Sequence, residues 1–125
     1  MSGWVLILGG STGHGAATAK RLAKDGYGII AFHFDRGEAK IIAGETIAEV
    51  NETTGGKCHY FNTNAASLET MDKYIPQIAE ITGSQPLKLM LHSIAFGTTT
   101  NFFGEKPVNQ KQMDMTVHVM GNSIL

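Results

Sequence analysis

The chain has 125 residues, 42% of them hydrophobic, which suffices for one domain with a real core. Ten Lys and Arg against eleven Asp and Glu leave a formal charge of −1, so neither a nucleic-acid surface nor an acidic tail is indicated. No apolar run approaches the roughly 20 residues of a membrane span, Met1-Ser2-Gly3-Trp4 lacks the basic start of a secretory signal, and the lone Cys58 fits a reducing, cytoplasmic setting.

In chain order, apolar runs alternate with helical patterns. The run Trp4–Leu8 predicts a strand, and the glycine-rich segment "GGSTGHG" (residues 9–15) leads into a helix from about Gly13 to Lys24, closed by Asp25-Gly26. Gly28–Phe34 predicts a second strand, followed by a helix from about Glu38 to Thr53. Ile41, Ile42, Ile47, Ala48 and Val50 are its expected inner face, and Gly55-Gly56 its stop. A third strand is expected near Lys57–Asn62. Ser67 then caps a helix whose Met71, Tyr74, Ile75 and Ile78 share a face, with Pro76 expected to kink it or shift its start. The fourth strand is Leu87–His92, and a polar stretch, Gly97–Pro107, precedes a last helix from about Gln110 that still runs at Leu125. Strands that are nearly unbroken apolar runs, alternating with helices, predict an α/β parallel sheet covered on both faces.

Glycines between a first strand and a first helix allow a tight turn, close approach of a pyrophosphate to the backbone, and close packing of helix on strand. The helix N-terminus adds unpaired N–H groups and a positive dipole end. The spacing is Gly9-x-x-x-Gly13-x-Gly15, and no G-K-[ST] follows, which excludes a lysine-bearing phosphate loop.

With its flanks, this spacing resembles the N-terminal G-x-x-x-G-x-G of the short-chain dehydrogenase/reductase family. Asn64-Ala65, after the third strand, stands where that family carries an Asp and an aliphatic residue against the adenine. His92-Ser93-Ile94-Ala95 stands in place of its N-N-A-G, and "LHSIAFG" is similar to the H-S-I-A segment of the enoyl-(acyl carrier protein) reductases, whereas "GGSTGHG" is nearer the ordinary branch. The resemblance spans essentially the whole chain. It implies a Rossmann-type sheet of order 3-2-1-4, a ligand crevice at the switch between strands one and four, and the cofactor NADP(H) or NAD(H). Gly9, Ser11, Thr12, Gly13, His14, Gly15, Phe34, Asp35, Arg36, Asn64, Ala65, His92, Ser93, Ile94 and Ala95 are the implied cofactor-binding residues.

Which dinucleotide is bound turns on Phe34-Asp35-Arg36. An acid about 20 residues past the glycines hydrogen-bonds the ribose hydroxyls of NAD, and an Arg accommodates the 2′-phosphate of NADP. Both are present, so spacing alone does not decide. Aligned by the strand, Phe34 takes the acid's usual place and Asp35 points off the ribose, which favours NADP(H), with NAD(H) the alternative.

Family reductases pair a tyrosine with a lysine at Y-x-x-x-K, or across six intervening residues in the enoyl branch. Tyr27, Tyr60 and Tyr74 are followed at the fourth place by Ala31, Asn64 and Ile78, and at the seventh by Phe34, Ser67 and Ile81. The chain therefore reads as the cofactor-binding portion, 1–125, of a reductase whose acid–base half lies beyond it, and no catalytic residue is assigned within it. His118 falls near the family's catalytic-site Asn, a place the enoyl branch often leaves without one; a packed or solvated ring is its simpler role. Ser93 has no basic partner in sequence, and the other histidines show no metal-binding spacing. Phe96, Phe102 and Phe103 could line an acyl pocket or anchor the loop. The expected function is reduction of an enoyl thioester on acyl carrier protein in fatty-acid synthesis, by a homo-oligomer without nucleic-acid or membrane partners. A 3-oxoacyl reductase and a non-catalytic dinucleotide-binding or redox-sensing module are the alternatives.

Overall fold

The computed structural model describes residues 3–65, 67–83, 85–94 and 103–120. Strands and helices alternate as β1 (Trp4–Leu8), α1 (Gly13–Lys24), β2 (Gly28–His33), α2 (Ala39–Thr54), β3 (Cys58–Asn62), α3 (Leu68–Thr82), β4 (Leu87–His92) and α4 (Gln110–Met120). The chain divides into two units, Met1–Ser93 with the sheet and the first three helices, and Ile94–Leu125 with α4.

The four strands form one parallel sheet in the order β3-β2-β1-β4. β2 is buried at all six positions, which is why Gly28-Ile29-Ile30-Ala31-Phe32-His33 carries almost no polar side chain. Val5, Ile7, Ile29 and Ala31 point to one face and pack with Ala19 and Ala23 of α1 and Val50 of α2. On the opposite face, Phe32 and Phe61 meet the ring of Tyr74 from α3 at centroid distances of 5.7 and 4.8 Å. Helices thus cover both faces, α1 and α2 on one and α3 on the other.

Strand β2 ends at His33, one residue before the expected Phe34, because the next donor along the ladder, Asp35 N–H, goes to the Asn62 side chain instead of to a backbone carbonyl. The inner face of α2 also differs from expectation. Ala43, Thr46 and Val50 are its buried residues, Ile47 is half-buried, and Ala48, Ile41 and Ile42 lie outside, the last two 66% and 55% exposed. Residues at spacings of three and four share one side of the helix, and on that side Val50 packs with Ala19 and Ala23 of α1 and with the strands, while Thr46 reaches the Ser11 carbonyl.

Helix α3 runs through Pro76 from Leu68 to Thr82, with Ser67 Oγ accepting from Thr70 N–H at its start. Proline offers no N–H to the carbonyl of Asp72; both residues are exposed, so water can take its place. The start of α4 is a reciprocal cap, with Gln112 N–H donating to Asn109 Oδ1 and Asn109 N–H to Gln112 Oε1. No helix among the described residues is long and apolar enough to cross a membrane.

Candidate functional site: the glycine turn and the carboxyl edge of the sheet

Parallel pairing brings all four strand C-termini to one edge. Leu8 is in register with Phe32 and with His92, and His33 with Asn62, so the segments that follow emerge side by side. Residues 9–15, 34–36, 62–65 and 92–93, which the sequence scatters over 85 positions, share this edge.

The glycine turn is fixed from behind. Gly9 and Gly10 both donate N–H to the Phe32 carbonyl, at 2.9 and 3.1 Å. Tyr60 of β3 donates its hydroxyl to the Gly10 carbonyl at 2.9 Å, and Thr46 of α2 donates to the Ser11 carbonyl at 3.1 Å. Burial raises the Tyr60 phenol well above its ordinary range, with a smaller contribution from Cys58 nearby, so the donor stays protonated. Burial likewise pushes the Cys58 thiol up to about 11. Thr46 and Tyr60 are not among the expected site residues. A polar residue on an otherwise apolar helix face is the signal that marks Thr46.

The front of the turn is open. Thr12 precedes α1 in extended conformation with no side-chain cap bond, and the first turn of the helix holds no acidic residue. The positive end of α1 is therefore not neutralised by the helix's own first turn. Gly13 has φ +56°, and a Cβ there would meet no atom within 4 Å. Gly15 is the opposite case, since its Cβ would stand 1.8 Å from the Gly9 carbonyl oxygen. An outward-facing uncapped helix start, with bare backbone before it and a braced turn behind, fits the pyrophosphate of a dinucleotide.

Asp35 sits beside this turn. Ser11 Oγ donates to its Oδ2 at 2.6 Å, and His33 Nδ1 to the same oxygen at 2.7 Å. A carboxylate only accepts, so the His33 proton is on Nδ1. Asn62 holds the Asp35 backbone, accepting from its N–H at 3.0 Å and donating to its carbonyl at 3.1 Å. Arg36 turns outward, its guanidinium 4.6 Å from the centre of the exposed Phe34 ring. The structure thus separates Asp35, drawn against the turn, from Arg36 at the surface, rather than leaving them as a solvated pair.

The remaining expected residues divide. His14 is exposed in the first turn of α1, Asn64 is exposed after β3, and Ala65 is buried. His92 is half-buried at the end of β4, and Ser93 continues that edge by donating its N–H to the Leu8 carbonyl at 2.8 Å. Ile94 is half-buried. Ala95, Phe96 and Phe102 lie outside the described residues, and Phe103 is exposed. Tyr60 and Tyr74 serve the turn and the Phe32–Phe61 cluster. Among the described residues no three His, Cys, Asp or Glu side chains gather as a metal would need.

The comparisons agree on one architecture. The short chain dehydrogenase family model matches residues 3–125. Among solved structures, a short-chain dehydrogenase/reductase from Serratia marcescens superposes with TM-score 0.75 at 23% identity, covering 98% of this chain and 46% of that one. The putative carbonyl reductase Sniffer of Caenorhabditis elegans gives 0.72 at 20%, covering 99% and 49%. A Comamonas testosteroni alcohol dehydrogenase described as specific for bulky-bulky ketones gives 0.74 at 18%, covering 97% and 45%. The chain therefore spans about half the length of these structures. A search of curated protein sequences returns no match. The family match over nearly the whole chain, with the 3-2-1-4 sheet and the glycine turn at its carboxyl edge, makes this chain a member of the short chain dehydrogenase family, whose members are NAD(P)(H)-binding oxidoreductases.

Proposed function

We propose that the chain supplies the dinucleotide-binding half of an NADP(H)-dependent reductase, and that its substrate is an enoyl thioester carried on acyl carrier protein, in cytoplasmic fatty-acid synthesis. The observation that carries the cofactor reading is the division at the end of β2. Asp35 is committed to Ser11 and His33, whereas Arg36 stands outside over Phe34. A carboxylate with one oxygen already taken by two donors is a poorer bidentate acceptor for ribose hydroxyls, and an exposed guanidinium suits a 2′-phosphate. The enoyl substrate is supported by the resemblance of His92-Ser93-Ile94-Ala95, which starts where Ser93 pins the end of β4 to β1.

The dinucleotide, when bound, supplies the hydride. This chain's residues hold the pyrophosphate at Gly13 and the α1 N-terminus and receive the adenosine end beside Phe34 and Arg36. The group that protonates the substrate is not among them, so the chain alone should show no reduction above background. A second reading, 3-oxoacyl reduction, is favoured by the ordinary-branch character of "GGSTGHG".

Calorimetric titration with both cofactors tests the proposal. Arg36→Ala removes a charge-assisted contact of roughly 1.5–3 kcal/mol. NADPH affinity should then fall about tenfold to a hundredfold while NADH affinity barely moves. Equal losses would reduce Arg36 to a support of the loop, and tighter NADH binding by the unaltered chain would reverse the cofactor assignment. The gene product that carries this segment should reduce trans-2-enoyl thioesters faster than 3-oxoacyl ones, and the opposite order would favour the second reading.

A further inference from the structure

Four hydrogen bonds converge on Asp35. Two fix its backbone through Asn62 of β3, and two engage one carboxylate oxygen, Oδ2, from Ser11 in the glycine turn and His33 at the end of β2. The side chains of His33 and Asp35 are only 7% and 14% exposed. Ser11 is itself buried, and its carbonyl is held by Thr46, so the donor is anchored at both ends. Short bonds from fixed donors to a carboxylate are the strong kind. Asp35 lies 20 residues beyond Gly15, in the region where an acid ordinarily takes the two ribose hydroxyls with its two oxygens. Here one of those oxygens is already occupied twice.

We propose that Ser11 and His33 clamp the Asp35 carboxylate against the glycine turn, out of reach of the adenosine ribose, and that this clamp sets the preference for the 2′-phosphorylated dinucleotide. The inference rests on the reading of the glycine turn as a dinucleotide cradle. The two donors draw the negative charge away from where a 2′-phosphate would lie and leave Arg36 as the ionic group facing it. Ser11 and His33 are thus positioning residues: they act through Asp35 and need not touch the ligand. The arrangement also separates the two meanings of the Asp-Arg pair in sequence. The acid is present, but one of its two oxygens is already engaged twice inside the protein, so it cannot offer both to a ribose.

The clamp can be opened from either side. Ser11→Ala removes one donor with little change of shape, and His33→Phe removes the other while keeping a ring against Tyr60. In each variant, with circular dichroism showing an intact fold, Asp35 becomes free to accept from the ribose. NADH affinity measured by calorimetry should rise about tenfold, the scale of one hydrogen bond to a charged group. NADPH affinity should not rise. Adding Asp35→Asn to Ser11→Ala should return NADH affinity to the starting level, because the released acceptor has lost its charge. A merely structural weakening would lower both affinities together and would not be reversed by Asp35→Asn. Unchanged or reduced NADH affinity in both opened variants overturns the clamp, as does a gain that survives Asp35→Asn. The affinity ratio of the unaltered chain tests the cofactor preference separately. A chain that favours NADH and still gains on opening would overturn that preference and keep the sequestration of Asp35; a chain that binds neither cofactor overturns both.

Discussion

Gly13 and Gly15 look alike in the motif and differ in what they require. A side chain at Gly15 has no space, because α1 begins directly against the Gly9 carbonyl, 1.8 Å from an added Cβ. Gly15→Ala must push the helix off the turn, and overpacking of this kind costs about 1–3 kcal/mol or more. Gly13 instead needs its left-handed backbone and faces open space. Gly13→Val should keep most of the fold, at a cost of roughly 1–2 kcal/mol for the strained φ, while its branched side chain fills the space a pyrophosphate would take. Urea melts and cofactor titration of the pair separate the two roles: Gly15→Ala loses stability first, and Gly13→Val loses binding while folded. A Gly13→Val chain that binds at unchanged affinity would remove Gly13 from the cradle. The latch behind the turn has a pH dependence of its own. Tyr60 must stay protonated to donate to Gly10, and both it and Cys58 are raised by burial, so at high pH the folded chain holds protons that the unfolded chain has released. By linkage, stability is fully present below the ordinary thiol value of 9.0 and falls as pH climbs through about 11. Tyr60→Phe should shed part of that alkaline loss and cost about 1 kcal/mol at neutral pH, since the Gly10 carbonyl loses its donor. An identical alkaline slope in the variant would take Tyr60 out of the account.

At the scale of elements, legibility follows how local the signal is. β1 and β4 match their apolar runs end to end, and α1 and the Ser67 cap of α3 stand where expected, because glycine, capping and apolar-run signals are read within a few residues. The Asn109-x-x-Gln112 cap of α4 is equally local, yet the expected start near Gln110 makes no use of it. Helix α2 shows what periodicity misses. Its isoleucines suggest a face, but the buried face is set by what α2 covers, with Val50 over α1 and the strands and Thr46 on the glycine turn, and Ala43 is buried on the same side. The braces of the site are illegible for the same reason. Nothing in the sequence links Tyr60 to Gly10 or His33 and Ser11 to Asp35, since these pairings arise only when β3, β2 and the turn meet at one edge. The α2 assignment is directly measurable. Val50→Ala empties fully buried space and should cost about 2 kcal/mol, whereas Ile42→Ala on the exposed side should stay within about 0.5 kcal/mol. Denaturant midpoints with equal slopes would show this, and a larger loss at Ile42 would return the inner face to the isoleucines.

For the whole molecule, the sheet is unevenly covered. Strand β2 is buried throughout, yet β4, at the other end of the order from β3, exposes Leu87, Leu89 and Met90 at 45, 45 and 46%. Side chains alternate along a strand, so apolar surface appears on both faces of β4. Among the described residues β4 pairs as a strand only with β1, so the far side of Leu87–Leu91 offers backbone N–H and C=O groups as a template for another strand. Lys88 is the single charge within the strand, a weak guard against such pairing. Leu89 is the informative position because it is paired with Val5 of β1, just past the register shift near the start of the ladder, and is nearly half exposed. The isolated chain is therefore expected to self-associate, with sedimentation coefficients that rise with concentration. Leu89→Lys places a charge where a copy's strand would have to lie and should shift the chain toward monomer, with little change in thermal stability because little of Leu89's contact is lost. Raising salt should not disperse the assembly, since its drive is apolar burial and backbone pairing rather than charge. Sedimentation velocity on the unaltered chain and the variant, at low and high salt, reads all three expectations. A stable monomer at the highest concentration, or association that Leu89→Lys leaves untouched, would mean that the β4 edge is not the adhesive surface.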